Sequence, residues 1–282
     1  MRAVLVSLAV CLVAGCAVET VDKVTRVTVP EPVVAMTDDF AVPVLMYHRV
    51  NTLTSREERS PLMRDLTVSP SDFEEQIRTL KEQGFTFLLA SQVEDAVRNH
   101  KPLPVKAVAI TLDDGYKDNF DVALPILRKY DVPATVFVVT DSMGKPERLS
   151  WANVTLMHGE GVGFGSHTVH HYDLTTLKET DLDFELRESK RVLEVRLQEP
   201  VDDIAYPSGQ YNDAVMARAQ VAGYLAGWKK GGGPVRPGDQ PLMLPRVRVH
   251  GKTDMADFKR KVMSGVYVLA MERERRAKKP AA

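Results

Sequence analysis

From Val42 onward, short apolar runs alternate with stretches of helical period, and that alternation restricts the fold more than any other feature of the chain. Val44-Leu45-Met46-Tyr47 reads as a first strand. Further apolar runs follow at Phe85–Leu89, Ala107–Leu112, Ala134–Val139, Val162–Phe164, Ile204–Tyr206, Tyr224–Trp228 and Val247–Val249. Between them, Phe73, Ile77 and Leu80 recur at helical spacing, as do Leu182, Leu186, Leu193 and Leu197. Ser71 with Glu74 has the form of a capping box, and Gly84 stops that helix. Strands that alternate with helices are joined by crossovers, which makes the sheet parallel and covers its faces. About seven repeats fit a distorted, seven-stranded (β/α) barrel, although periodicity also permits an open sheet. The chain shows no internal repeat and no second domain.

The flanks differ in character. Arg2 precedes an apolar run, Ala3 to Ala14, which is too short to span a bilayer comfortably and leads into Leu12-Val13-Ala14-Gly15-Cys16. That ending resembles a bacterial lipobox, which implies cleavage after residues 1–15 and lipidation of Cys16. Ala17 behind it resembles the outer-membrane class. A plain signal peptide that happens to hold a cysteine is the alternative. Cys11 and Cys16 are the only cysteines, so a domain cut before Cys16 has neither a disulfide framework nor a thiolate metal site. Residues 16–41, with Pro30 and Pro32 and no period, read as a tether to a domain spanning 42–272, and 273–282 is a basic tail. These features predict an exported protein, lipid-anchored in the bacterial envelope on the periplasmic face of the outer membrane. With 44% hydrophobic and 27% charged residues the chain can bury a core, and a formal net charge of −1 argues against a nucleic-acid partner.

Catalytic groups of such folds gather where strands end. The run Ala107-Val108-Ala109-Ile110-Thr111-Leu112-Asp113-Asp114-Gly115 carries a buried strand straight into two carboxylates and a glycine. Neighbours on an extended chain point in different directions, so one carboxylate can bind a cation while the other faces water or substrate. A simple turn is the competing reading, since Asp and Gly favour turns. Farther on, Gly165-Ser166-His167-Thr168-Val169-His170-His171 holds three of the chain's seven histidines. If this stretch is helical, His167 and His171 share one face, as in metal-binding pairs. Imidazole nitrogen and carboxylate oxygen together suit a catalytic zinc with an open position, although an isolated pair of histidines more often faces solvent than a metal.

Together the two segments resemble the polysaccharide deacetylases of the NodB-homology group, carbohydrate esterase family 4. Thr111-Leu112-Asp113-Asp114-Gly115 resembles the first family motif, and Ser166 to His171 followed by Asp173-Leu174 resembles the second. The likeness runs from about Val42 to Val249. It implies that Asp114, His167 and His171 ligate a divalent metal, that Asp113 is the general base, and that His170 is a bystander. Ala205-Tyr206-Pro207-Ser208-Gly209 resembles the third motif, in which the N–H of Ser208 would face the developing oxyanion, with Tyr206 and Pro207 shaping the substrate or base side. Ala205 stands where the family usually has the Arg that pairs with the base, a vacancy that Arg246 or Arg248 could fill.

His48, in Pro43-Val44-Leu45-Met46-Tyr47-His48-Arg49-Val50, ends the first strand. This placement resembles the biofilm poly-β-1,6-N-acetylglucosamine deacetylases, in which the acid histidine comes first. A satisfied strand-end histidine is the alternative for His48, and His250 is the other candidate acid. The resemblance implies metal-dependent hydrolysis of N-acetyl groups from a polymer of N-acetylglucosamine. Poly-β-1,6-N-acetylglucosamine is the leading substrate, with peptidoglycan deacetylation and non-catalytic sugar binding as the alternatives. The ligand set suits Zn²⁺, and also Co²⁺, Ni²⁺ or Fe²⁺.

Overall fold

The computed structural model describes residues 36–263. The segment 1–15, Cys16, the tether as far as residue 35 and the tail 273–282 lie outside the described residues. Within the described part, Val44–Tyr47 pairs in parallel with Ala107–Asp114, and Ala107–Asp114 pairs with Thr135–Val138. The ladder continues through Gly163–Ser166, Asp203–Ala205, Ala226–Gly232 and Leu244–Arg248, which returns to Val44–Tyr47. Seven parallel strands thus close on themselves, as the alternation of strand and helix predicts. A register shift between the pairs Trp228↔Leu244 and Gly232↔Arg246 distorts the ring.

Phe85–Leu89, read as one more strand of the series, lies outside that ring. Thr86–Leu88 pairs with the opening residues of Ala107–Asp114, from Ala107 to Ala109, and the chain then enters the helix Ala90–Arg98. Ala90, Val93, Ala96 and Val97 pack with the inward-facing Val44, Ala109, Phe137, Ala205 and Trp228, so this helix plugs the end of the barrel where strands begin. The chain is packed from earlier than residue 42. Met36–Thr37 pairs with Leu103–Pro104, and Phe40 and Ala41 are buried.

Side chains alternate along the strands, as a sheet covered on both faces requires. Val108, Ile110 and Leu112 point out to the helical layer with Leu45, Tyr47, Val136 and Val138. Their neighbours Ala109, Thr111 and Asp113 therefore point in. Helix Pro70–Glu82 buries Phe73, Ile77 and Leu80, and Phe73 meets Tyr47 edge-on with ring centroids 5.1 Å apart. Its cap is Ser69 rather than the expected Ser71, because Pro70 occupies the first helical turn and the Ser69 hydroxyl accepts the Asp72 N–H at 3.1 Å. Helix Glu179–Leu197 buries the predicted Leu182, Leu186, Leu193 and Leu197, and adds Glu185 and Ser189 to the same face.

Candidate metal centre and catalytic cleft

The loops that leave the ends of the parallel strands converge on one cleft of about 640 Å³. Asp113, Asp114, His48, His167, His171, Ser208 and Arg246 all line it. Sequence positions from 48 to 246 are therefore gathered at a single rim. His250 is outside this cleft, and its Nδ1 accepts the Lys252 N–H.

Asp114, His167 and His171 form the cluster that the motifs predict, with one ligand atom of each within 4.8 Å of the others. His167 Nε2 and His171 Nε2 each lie 3.4 Å from Asp114 Oδ1. Ligands about 2.0–2.1 Å from a tetrahedral ion stand about 3.3–3.4 Å from one another, so these spacings fit a small divalent cation. The outer contacts fit it too. His167 Nδ1 donates to the Ala205 carbonyl at 2.7 Å, which leaves Nε2 as the ring nitrogen turned toward Asp114, able to offer its lone pair where a cation takes the place of its proton.

The histidines do not meet on a helix. Residues 167–171 form an irregular loop in which Thr168 and His171 have positive φ, 66° and 62°. The Thr168 hydroxyl accepts the His171 N–H at 3.1 Å and closes that loop. Asp114 (φ 74°) and Ser208 (φ 55°) share this left-handed backbone. Residues with a Cβ adopt it at a cost of about 1–3 kcal/mol. Of the eight that do so among the described residues, four line the cleft or its histidine loop, while Asp131 and Gln198 are helix C-caps and His100 and Glu147 lie elsewhere. Gly115 follows Asp114 with φ 64° and with Val138 so near that an added Cβ would lie 3.0 Å from Cγ1, so glycine suits the turn twice over.

Asp113 faces the barrel interior, where Arg246 grips it. Arg246 Nη1 and Nη2 donate to the two carboxylate oxygens at 2.7 and 2.8 Å, and Nη1 also reaches Thr111 Oγ1 at 3.2 Å. Arg246 therefore occupies the vacancy left by Ala205. Arg248 pairs with Asp65 instead. Burial alone would raise the Asp113 carboxyl, but the Arg246 charge and hydrogen bonds, with His167 and His48, hold it below the ordinary carboxylate range. Burial likewise opposes ionisation of Asp114, and His167, through hydrogen bond and charge, outweighs it with help from His48 and His171. Both carboxylates are ionised at neutral pH. Burial lowers the His48 pKa against the pull of Asp113 and Asp114.

The strand end that carries His48 is fixed from both sides. Asn119 Nδ2 donates to the His48 carbonyl at 2.9 Å, and the next residue, Arg49, makes a buried ion pair with Asp118 at 2.8 Å. Pro207–Gly209 is a tight turn that sets Ser208 at the rim. Tyr206 is committed elsewhere, since its buried hydroxyl donates to the Leu242 carbonyl at 2.8 Å. Gly227 makes room for this, because a Cβ there would lie 2.2 Å from that hydroxyl.

Three supporting groups escaped the sequence reading. Arg148 Nη1 donates to the Asp114 carbonyl at 2.9 Å. Thr111 shares Arg246 with Asp113. Buried Glu185 accepts the Val169 and His170 N–H groups, both at 2.9 Å, and so holds the histidine loop. Its signal was present, as a carboxylate on the apolar face of helix Glu179–Leu197.

Comparison with known proteins agrees with this geometry. The polysaccharide deacetylase profile matches residues 100–227, which include both carboxylates, the histidine loop and Ser208. The chain is 30% identical over 208 residues to YxkH of Bacillus subtilis (strain 168), a protein named for the polysaccharide deacetylases, covering 74% of this chain and 71% of that one. This chain belongs to the polysaccharide deacetylase family. The deacetylase is a hydrolase of amide bonds in polysaccharides, with a NodB-type domain. It also resembles the solved structure of Streptococcus pyogenes deacetylase PplD in complex with acetate, with a TM-score of 0.74 and 31% identity over 79% of this chain and 98% of that one. The deacetylase is 27% identical over 225 residues to the poly-β-1,6-N-acetyl-D-glucosamine N-deacetylase of Staphylococcus aureus (strain MRSA252), over 73% of this chain and 77% of that one.

Proposed function

We propose that this deacetylase removes acetyl groups from an exopolysaccharide of β-1,6-linked N-acetylglucosamine, with Zn²⁺ as its metal. The observation that carries the reading is the convergence in one cleft of a three-ligand cluster, an Arg-paired aspartate and a histidine from the first strand. The 27% identity to a protein named for that polymer supports the substrate.

Each group has one task. A divalent metal held by Asp114, His167 and His171 supplies Lewis acidity toward water and the acetyl carbonyl. Asp113, kept ionised by Arg246, takes the proton of the attacking water. The Ser208 N–H donates toward the acetyl oxygen as charge develops there, and a backbone donor makes the side chain at 208 immaterial. His48 protonates the departing amine. Its depressed pKa makes the imidazolium a stronger acid, at the cost of a smaller protonated fraction at neutral pH.

The purified protein, with and without chelator, should release acetate from poly-β-1,6-N-acetylglucosamine, and chelation should stop it. Release from peptidoglycan alone would reassign the substrate, and turnover that survives metal stripping would overturn the mechanism. Export and anchoring belong to the same proposal. The resemblance of the segment ending at Cys16 to a lipobox supports a lipid anchor at the periplasmic face of the outer membrane. Cys16→Ser should move it from the membrane to the soluble fraction with catalysis intact; unchanged partitioning would remove the anchor.

A further inference from the structure

One wall of the cleft is aromatic, and no step of the hydrolysis uses it. Tyr172 lines the cleft one residue beyond the ligand His171, yet 53% of it is exposed. Its ring stacks on His170, with centroids 5.2 Å apart and planes 20° from parallel. His170 stacks in turn on Phe184, at 6.1 Å and 22°. The His170 ring is pinned, because Nδ1 donates to Glu185 Oε1 at 2.5 Å while Oε2 of the same buried carboxylate holds the loop backbone. A single exposed tyrosine needs no explanation. A tyrosine set at a fixed angle by a stacked histidine, itself fastened to a buried glutamate, is a surface ordered before anything binds.

A β-linked N-acetylglucosamine ring offers a face of axial C–H groups, apolar and weakly positive. The face of a phenol ring is apolar and weakly negative, so the two are complementary in shape and charge. We infer that Tyr172, braced by His170, is a stacking platform for the sugar unit next to the one being deacetylated. The inference rests on reading the cleft as a polysaccharide site. It gives His170, which the metal cluster leaves aside, a positioning role. It also makes the enzyme sensitive to chain length, since an oligomer occupies the metal cluster and the platform together.

The test measures binding of N-acetylglucosamine and of its β-linked oligomers, dimer to pentamer, by calorimetry on chelator-treated protein, so that substrate is not consumed. Affinity should rise from monomer to longer oligomers. Tyr172→Ala should weaken the longer oligomers about tenfold and leave the monomer unchanged, whereas Tyr172→Phe should keep the wild-type profile. His170→Ala should lower oligomer affinity in the same sense while the metal-loaded protein retains its full metal content. Equal affinities of wild type and Tyr172→Ala at every length would overturn the platform, as would a loss that is the same for monomer and pentamer. Acetate release by the metal-loaded wild type is scored separately. Length-dependent binding through Tyr172 without acetate release would leave the platform standing and remove the proposed reaction instead.

Discussion

Asp113 and Asp203 are both buried on strands of the same barrel, and their carboxyls are shifted in opposite directions. Asp113 sits near the end of its strand, where Arg246 meets both of its oxygens and holds it ionised. Asp203 opens its strand at the other end of the barrel and receives the Trp228 indole N–H at 2.6 Å. Burial, against that hydrogen bond, pushes the Asp203 carboxyl up to about 7. Depth alone therefore does not make a catalytic carboxylate. The difference is a guanidinium delivered from Leu244–Arg248, the strand that closes the ring beside Val44–Tyr47.

The widest contrast should appear in turnover. Asp113→Asn should lower kcat by about 10²–10⁴-fold, the usual loss on removing a positioned proton acceptor, while Asp203→Asn should leave kcat unchanged. Steady-state acetate release checks both, and comparable losses would erase the distinction between the two ends. Arg246→Leu comes next. It should leave Asp113 with a raised carboxyl, as in Asp203, and cost about 3–5 kcal/mol in denaturant unfolding, because one partner of a buried ion pair is left behind.

A smaller effect separates the two carboxyls by pH. Asp203 has a folded pKa of about 7 against an ordinary value of 3.8, so the native state binds more protons across that interval. Its contribution to stability is complete below about pH 4, falls as pH rises, and is lost through about pH 7. Asp203→Asn keeps an acceptor for Trp228 and should flatten this slope. Denaturant midpoints at about pH 4 and about pH 8 should therefore differ less in the variant than in the wild type. Parallel pH dependences would mean that Asp203 is ionised in the fold. The smallest effect belongs to Ser208, where the backbone does the work: Ser208→Ala should keep kcat, and a large loss would transfer the role to the hydroxyl.

The sequence made some of this arrangement readable and hid the rest for physical reasons. Ala107–Asp114 was legible because a strand covered on both faces is apolar throughout, so two carboxylates at its end stand out. Arg246 and Arg248 could not be told apart, since both have the same parity on one strand and only the shear of the closed sheet decides which reaches Asp113. The four-residue spacing of His167 and His171 suggested a helical turn, but Thr168 and His171 at positive φ achieve the same convergence without one. Local spacing reports that two side chains can meet, and leaves open which backbone brings them together. Ser69 displaced Ser71 as a cap because Pro70 fixes where the helix begins. Glu185 was hidden in plain view, a carboxylate within a leucine stripe whose partners are backbone amides from another segment.

The central claim is that Asp114, His167 and His171 hold the metal on which the reaction depends. Its most direct test is the metal content of purified His167→Ala, His171→Ala and His170→Ala proteins by elemental analysis, with acetate release measured on the same samples. The structure predicts that the first two lose both metal and activity, and that His170→Ala keeps its metal. Full metal in His167→Ala and His171→Ala, or an empty site in His170→Ala, would contradict it.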